Sequence, residues 1–187
     1  MPIVQLDPAA GVKGAHPKGV RSAASPAPAA PGLHPGRLSP HEGRESSGDS
    51  MPDTLALQTV LEGFVMTPSV AMTPFVVEAA DFARGEVRLL FEPRPDFANR
   101  NGVVQGGLAM GMMDVALSLA AYAGTGHFGP TVELKASYLA PLPIGPVLGV
   151  ARVLKAGRTL VFLEGSLSAP GSPVSIASTA TTLMPRG

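Results

Sequence analysis

The segment from Asn99 to Gly126 constrains the fold of this chain more than any other part of the sequence. It begins with polar residues and glycines and then runs almost wholly apolar for about five helical turns. Its one charged side chain after Gly102 is Asp114. A helix that is apolar on all sides either is buried in a protein core or spans a membrane. The central carboxylate, the early glycines and the lack of a flanking basic cluster favour a buried core helix, so we expect no membrane partner.

The composition of this 187-residue chain argues against several classes of function. The formal net charge is zero and the basic residues are scattered, so we expect no nucleic-acid partner. The absence of cysteine removes disulfides, Cys-ligated zinc and thiol nucleophiles. His127 is the one histidine after residue 51, and no metal-ligand spacing surrounds it, so we expect neither a metal nor another cofactor.

Residues 1–50 have a different composition from the rest of the chain. They contain eight prolines, seven glycines and no aromatic residue, and their apolar residues show no regular period. Such a segment cannot bury enough apolar surface to offset its ordering entropy. We expect a disordered tail or a mis-assigned start, with Met51 as the true initiator. Residues 51–187 are expected to form one folded domain located in the cytoplasm.

The pattern of the folded part predicts two helices and six strands. Asp53 is expected to cap the first helix, and the apolar segment after Gln105 forms the second. Alternating residues bounded by glycine and proline predict the strands. The predicted elements are a helix over Thr54–Phe64, strands over Phe75–Phe82 and Gly85–Phe91, the long helix from Gly106, and strands over Thr131–Tyr138, Val147–Leu154, Thr159–Leu167 and Val174–Leu183.

This order of elements predicts an α+β fold, in which one antiparallel sheet of about six strands wraps around one long central helix. A single sheet of this size leaves edge strands with unpaired backbone groups. Pairing those edges between two copies of the chain would satisfy them. We therefore expect a homodimer.

Two features of the long helix suggest a chemistry. Gly106 and Gly107 lie where the helix begins, and the unpaired N–H groups there suit a phosphate or an oxyanion developing on a carbonyl. Asp114 follows eight residues after Gly106, about 12 Å along the same helix. One chain therefore cannot easily bring both groups to a single atom. Two antiparallel helices in a dimer could do so, one supplying the amide and the other the carboxylate.

Three stretches resemble the hotdog-fold acyl-CoA thioesterases of the phenylacetate-degradation (PaaI) type. They are FANRNGVVQGGLAMGMMD, PTVELKASYLAPL and KAGRTLVF, and the resemblance covers essentially all of Met51–Gly187. The family pattern of Asn, His-Gly-Gly and Asp matches at Asn99, Gly106, Gly107 and Asp114. The resemblance implies a homodimer or a dimer of dimers that hydrolyses small to medium acyl-CoA thioesters, aromatic ones included.

The resemblance also implies a role for each matching residue. The Gly106 N–H would polarise the thioester carbonyl. Gly107 would contact the substrate beside it. Asp114 of the other subunit would act either as a general base on water or as a nucleophile. Asn99 would position the water or the carboxylate, and Thr131 matches a hydroxyl-bearing helper position. Lys155 and Arg158 would meet the phosphates of CoA.

The chain departs from the family pattern at Gln105, where the family has histidine. A glutamine side chain can form hydrogen bonds but cannot shuttle a proton near neutral pH. If the family histidine only orients other groups, Gln105 can replace it. If the histidine transfers a proton, the activity would be weaker or differently tuned. The alternative to an enzyme is a non-catalytic hotdog module that binds acyl-CoA or a related ligand.

Overall fold

The structure is a computed structural model that describes residues 50–63 and 67–184. The predicted tail, apart from Ser50, and the predicted helix end at Phe64 therefore lie outside the described residues. The elements in chain order are α1 (Ser50–Glu62), α2 (Pro68–Ala71), β1 (Phe75–Asp81), β2 (Glu86–Phe91), a 3-10 turn (Pro95–Phe97), α3 (Gly106–Thr125), β3 (Thr131–Tyr138), β4 (Val147–Ala156), β5 (Leu160–Ser168) and β6 (Ile176–Leu183).

The strands form one six-stranded sheet in the order β1-β2-β4-β5-β6-β3. Every neighbouring pair is antiparallel. β4, β5 and β6 form an antiparallel meander, and β3 lies at the far edge beside β6. Helix α3 packs mainly on β4, β5 and β2. The predicted α+β architecture, a long helix against an antiparallel sheet of about six strands, is confirmed.

Helix α3 is the core helix of the fold. Met112, Met113 and Leu117 are fully buried against the sheet, and each such side chain contributes about 1.5–3 kcal/mol of hydrophobic stabilisation. The helix ends where Gly126 adopts a left-handed conformation with φ of 74° and donates its N–H to the Tyr122 carbonyl. By length and composition α3 could cross a membrane, but half of its most apolar stretch is buried in the protein. It is therefore the buried core helix that the sequence predicts.

Helix α1 lies along the outer edge of β1. It begins three residues before Asp53, so the prediction that Asp53 caps the helix was wrong. The Asp53 carboxylate instead accepts the Phe82 backbone N–H at 2.8 Å. The buried hydroxyl of Thr54 accepts the Ala80 N–H at 3.0 Å. The first turn of α1 thus satisfies backbone groups at an edge that would otherwise lack partners.

Strand β3 forms the opposite edge of the sheet and contains a β-bulge. Its register against β6 shifts between Thr131 and Glu133, so one extra residue is inserted there. The regular alternation expected for this strand put Thr131 and Tyr138 on opposite faces. The bulge reverses the alternation, and the side chains of both residues reach α3.

Candidate functional site

The loop before α3 is held by backbone hydrogen bonds that fix the start of the helix. The Gln105 N–H donates to the Phe97 carbonyl at 2.9 Å, and the Val104 N–H donates to the Leu142 carbonyl at 2.8 Å. Within the loop, the Asn99 N–H donates to the Val103 carbonyl at 2.8 Å. These contacts make the loop a short folded hairpin that sets the position of the first helical turn.

Asn99 both stabilises this loop and faces a pocket. Its side-chain oxygen accepts the Asn101 N–H at 2.8 Å and the Val103 N–H at 3.5 Å, the local pattern typical of asparagine in turns. The residue is half-buried and lines the pocket beside the helix start. Because its oxygen is engaged in the loop, the amide NH₂ is the part of Asn99 that remains for a ligand.

Gln105 caps helix α3. Its side-chain oxygen accepts the N–H groups of Gly107 at 2.6 Å and Leu108 at 3.2 Å. A Cβ atom at position 107 would lie 3.1 Å from this oxygen, so Gly107 gives the cap its room. Among the described residues, no acceptor is recorded for the Gly106 N–H. The cap therefore leaves Gly106 as the first-turn donor available to a ligand.

Tyr138 contacts the same helical turn from the end of β3. Its hydroxyl donates to the Gly106 carbonyl at 2.9 Å. A Cβ atom at position 106 would lie 3.1–3.3 Å from three atoms of the Tyr138 side chain, so a larger residue there would have to displace the ring. The sequence pattern assigned Gly106 only an N–H group open to a ligand and gave no role to Tyr138. The one sequence signal was an aromatic residue closing a strand just before a proline-rich turn.

A pocket of about 370 Å³ opens beside the start of α3. Asn99, Gly106 and Tyr138 line its polar side. The rest of its wall is mainly apolar and comes from Val103, Val104, Leu139, Leu142 and Ile176. An apolar pocket with a few converging polar groups is the usual form of a small-molecule site.

Asp114 lies two helical turns further on and has one hydrogen-bond partner recorded among the described residues. The Thr131 hydroxyl, at the start of β3, donates to its carboxylate at 2.8 Å. Asp114 is half-buried, whereas Thr131 is exposed. The hydroxyl fixes one carboxylate oxygen and leaves the other for a ligand or a water molecule.

One chain thus carries two separate half-sites. Gly106 and Tyr138 meet at one end of β3, and Asp114 and Thr131 meet at its other end. The strand spans eight residues, which corresponds to about 23 Å. Within a single chain the Asp114 carboxylate stays away from the start of α3. The spacing of the two groups along α3 predicted this separation.

The two basic residues predicted to bind CoA lie far from Gly106 within the chain. Lys155 is the second-to-last residue of β4, and Arg158 lies in the turn that follows the strand. The neighbouring Val153 is packed against Gly124 near the end of α3, at the opposite end of the helix from Gly106. Both basic side chains are exposed. Any role for them at this site requires a second copy of the chain.

Comparison with known proteins matches residues 101–175 to the Thioesterase superfamily. A candidate esterase from Saccharolobus solfataricus is 29% identical over 89 residues, which cover 47% of this chain and 64% of that protein. The match therefore spans slightly less than two thirds of this curated relative.

Solved structures share the fold over most of their own length. A candidate thioesterase from Ralstonia eutropha JMP134, described as related to phenylacetic acid degradation, has a TM-score of 0.62 and 29% identity, covering 68% of this chain and 98% of that chain. The E. coli PaaI protein of the phenylacetic acid degradation operon has a TM-score of 0.63 at 12% identity, covering 73% and 96%.

A protein from Streptococcus mutans solved with acetyl-CoA has a TM-score of 0.55 at 20% identity, covering 60% of this chain and 90% of that chain. At identities below 25%, the E. coli and Streptococcus mutans structures support the fold alone. They agree with the hotdog fold, and the resemblance to thioesterases of the PaaI type rests on the family match and the Ralstonia structure.

Proposed function

We propose that this chain, a hotdog-fold protein resembling the PaaI-type thioesterases, hydrolyses acyl-CoA thioesters to a free acid and CoA as a homodimer. The observation that carries the proposal is the placement of the two half-sites at opposite ends of the edge strand β3. Antiparallel pairing of β3 with its copy, centred between Leu134 and Lys135, sets Thr131 of one chain opposite Tyr138 of the other. The Asp114–Thr131 pair of one subunit then meets the Gly106–Tyr138 pair of its partner.

In this dimer each group has a chemical task. The Gly106 N–H, left free by the Gln105 cap, donates to the thioester carbonyl oxygen and stabilises the charge that develops there. Asp114 of the partner subunit takes a proton from water, and the water oxygen bonds to the carbonyl carbon. The carbon–sulfur bond then breaks, and the CoA thiolate receives the proton from Asp114. Direct attack by the Asp114 carboxylate is the other route that this geometry permits.

Asn99 and Thr131 support these steps. The Asn99 amide faces the pocket beside Gly106, where it can orient the attacking water. The Thr131 hydroxyl keeps the Asp114 carboxylate in one orientation. Gln105 acts through the helix cap and does not transfer a proton.

Lys155 and Arg158 are proposed to bind the phosphates of a CoA held by the partner subunit. In an antiparallel arrangement of the two α3 helices, the end of one helix lies beside the start of the other. That arrangement carries the β4–β5 turn of one chain toward the Gly106 half-site of its partner. Replacing both residues by alanine is expected to raise KM for acyl-CoA with kcat little changed, and more strongly at low salt.

The acyl group is proposed to occupy the 370 Å³ pocket. An apolar cavity of about 150 Å³ suffices for benzene, so the pocket has room for a short chain or a single aromatic ring. This supports small to medium acyl groups, aromatic ones included. A dimer of dimers, implied by the resemblance, and the expected cytoplasmic location remain predictions.

The test is release of free CoA from a panel of acyl-CoA thioesters, detected with a thiol reagent. Loss of a general base typically lowers the rate by 10²–10⁴-fold, so Asp114→Asn is expected to abolish most of the release. Full activity of Asp114→Asn would reject the mechanism.

The second candidate is a non-catalytic module that binds acyl-CoA, and the observation that favours it is glutamine at position 105 in place of the family histidine. Tight binding of acyl-CoA without any release of CoA by the unaltered protein would support this reading.

A further inference from the structure

One aromatic side chain at the site has no role in the steps above. Tyr138 lines the pocket, and its hydroxyl donates to the Gly106 carbonyl at 2.9 Å. Its ring lies against the position that a Cβ atom of residue 106 would occupy. The ring is therefore next to the residue whose N–H we assign to the thioester carbonyl.

Tyr138 is held at two points although its residue is 54% exposed. Its backbone is paired with Ile176 on β6, and its hydroxyl is bound to Gly106 on α3. An exposed aromatic ring without such contacts would exchange rotamers freely. Held at both ends, the ring keeps its place in the pocket wall next to Gly106.

We infer that Tyr138 determines which acyl groups the site accepts. The ring limits how far an acyl group can extend past Gly106, and the hydroxyl holds the ring in that position. The expected substrates are compact acyl groups, either short chains or a single ring. This inference rests on the proposed function and adds a specificity-determining residue to it.

The same contacts couple Gly106 to Tyr138. A Cβ at position 106 would approach the ring to 3.1 Å, tighter than nine in ten real Cβ contacts. Gly106→Ala therefore displaces the ring by a few tenths of an ångström while retaining the backbone N–H. We expect Gly106→Ala to change acyl preference in the same direction as Tyr138→Ala, and the double variant to add little to either change.

The experiment compares the unaltered protein with Tyr138→Phe and Tyr138→Ala on acetyl-, butanoyl-, octanoyl- and benzoyl-CoA. Phe162→Ala is the matched control, since Phe162 is an exposed aromatic residue between two buried β5 residues that face the core. The measured quantity is the ratio of kcat/KM for octanoyl-CoA to that for butanoyl-CoA. All variants are also made with Asp114→Asn, and calorimetry then gives the dissociation constants of the same thioesters.

Tyr138→Ala is expected to raise the octanoyl-to-butanoyl ratio by about tenfold, in kcat/KM and in affinity. Tyr138→Phe keeps the ring but loses the hydrogen bond to the Gly106 carbonyl, so its octanoyl-to-butanoyl ratio should rise by a smaller factor. Phe162→Ala should leave the ratio unchanged. If Tyr138→Ala does not fold, the Tyr138→Phe ratio decides.

A Tyr138→Ala ratio within about twofold of the unaltered protein overturns the inference, and the proposed function then stands on hydrolysis alone. The unaltered protein could also fail to hydrolyse any thioester while Tyr138→Ala still shifts the ratio of the octanoyl-CoA and butanoyl-CoA dissociation constants. That result would reject the proposed function and support the role of Tyr138. Failure to bind any of the thioesters overturns both.

Discussion

Gln105 allows a prediction that separates helix capping from catalysis. Its side-chain oxygen accepts two N–H groups at the start of α3, at 2.6 and 3.2 Å. Removing such a cap typically costs about 1 kcal/mol. For a chain of this size, Gln105→Ala is therefore expected to lower Tm by about 3 °C. The comparison is made at one protein concentration, because Tm of a dimer depends on concentration.

Gln105→Glu is the informative partner variant. Its carboxylate can accept the same two N–H groups, and a negative charge at a helix start is itself favourable by about 0.3–1 kcal/mol. Stability should therefore be kept or slightly raised. An oxyanion bound to the adjacent Gly106 N–H would lie roughly 6 Å away, the span of two hydrogen bonds. At that distance the repulsion between the introduced carboxylate and the oxyanion is about 0.7 kcal/mol with the dielectric constant of water. It is about 2.8 kcal/mol with the effective dielectric constant of a protein surface.

The expected result for Gln105→Glu is thus an unchanged or higher Tm together with a fall in kcat of about threefold to a hundredfold. Thermal unfolding and the thiol-release assay measure the two quantities on the same samples. If Gln105→Glu unfolds as early as Gln105→Ala, the glutamine is not a cap. If it keeps full kcat, the oxyanion does not form at Gly106.

The other predictions concern the carboxylate, the edge of β1 and the assembly. Thr131→Val removes the hydroxyl that holds Asp114, a bond worth about 1.5 kcal/mol at an exposed position, and should lower kcat about tenfold. Thr179→Val, at an exposed site on β6, should not change it, and equal losses in the two variants would contradict the assigned role. Thr54→Val leaves a buried backbone N–H without its acceptor and should cost about 1–3 kcal/mol in chemical denaturation. Thr59→Val on the exposed side of the same helix should cost far less, and a similar cost at both sites would argue against the edge contact. Sedimentation of the full chain should give twice its 19.0 kDa mass, or four times that mass if two dimers associate, and a monomer at micromolar concentration would contradict the composite site.

The elements that sequence patterns predicted best are those whose cause is local. Helix α3 follows from twenty residues of nearly uniform apolarity ended by a glycine, and β4 to β6 follow from alternation between turn residues. The predicted start of α1 failed because Asp53 suits a cap locally, whereas its actual partner is the Phe82 N–H, 29 residues later. No property of residues near Asp53 indicates that pairing.

The candidate site shows the same division between local and distant causes. Spacing along one helix was enough to predict that Gly106 and Asp114 lie apart within one chain. The bulge in β3 was not predictable, because it depends on the register against β6, more than forty residues further along the chain. Without the bulge, Thr131 and Tyr138 do not share a face. Thr131 was singled out only by the family resemblance, and no local feature assigned Tyr138 a role at the site.

The contacts of Asp53 and Thr54 with β1 have a consequence for how copies of this chain can associate. A sheet with two open edges can add further copies at both ends and grow into a fibre without limit. Here one end of the sheet is occupied by α1, so additions through backbone pairing can occur only at β3. When two chains pair through β3, neither chain keeps an open edge for further backbone pairing. Growth through strand pairing then ends with two chains. Through Asp53 and Thr54, helix α1 would thus limit growth by backbone pairing to one edge of the sheet.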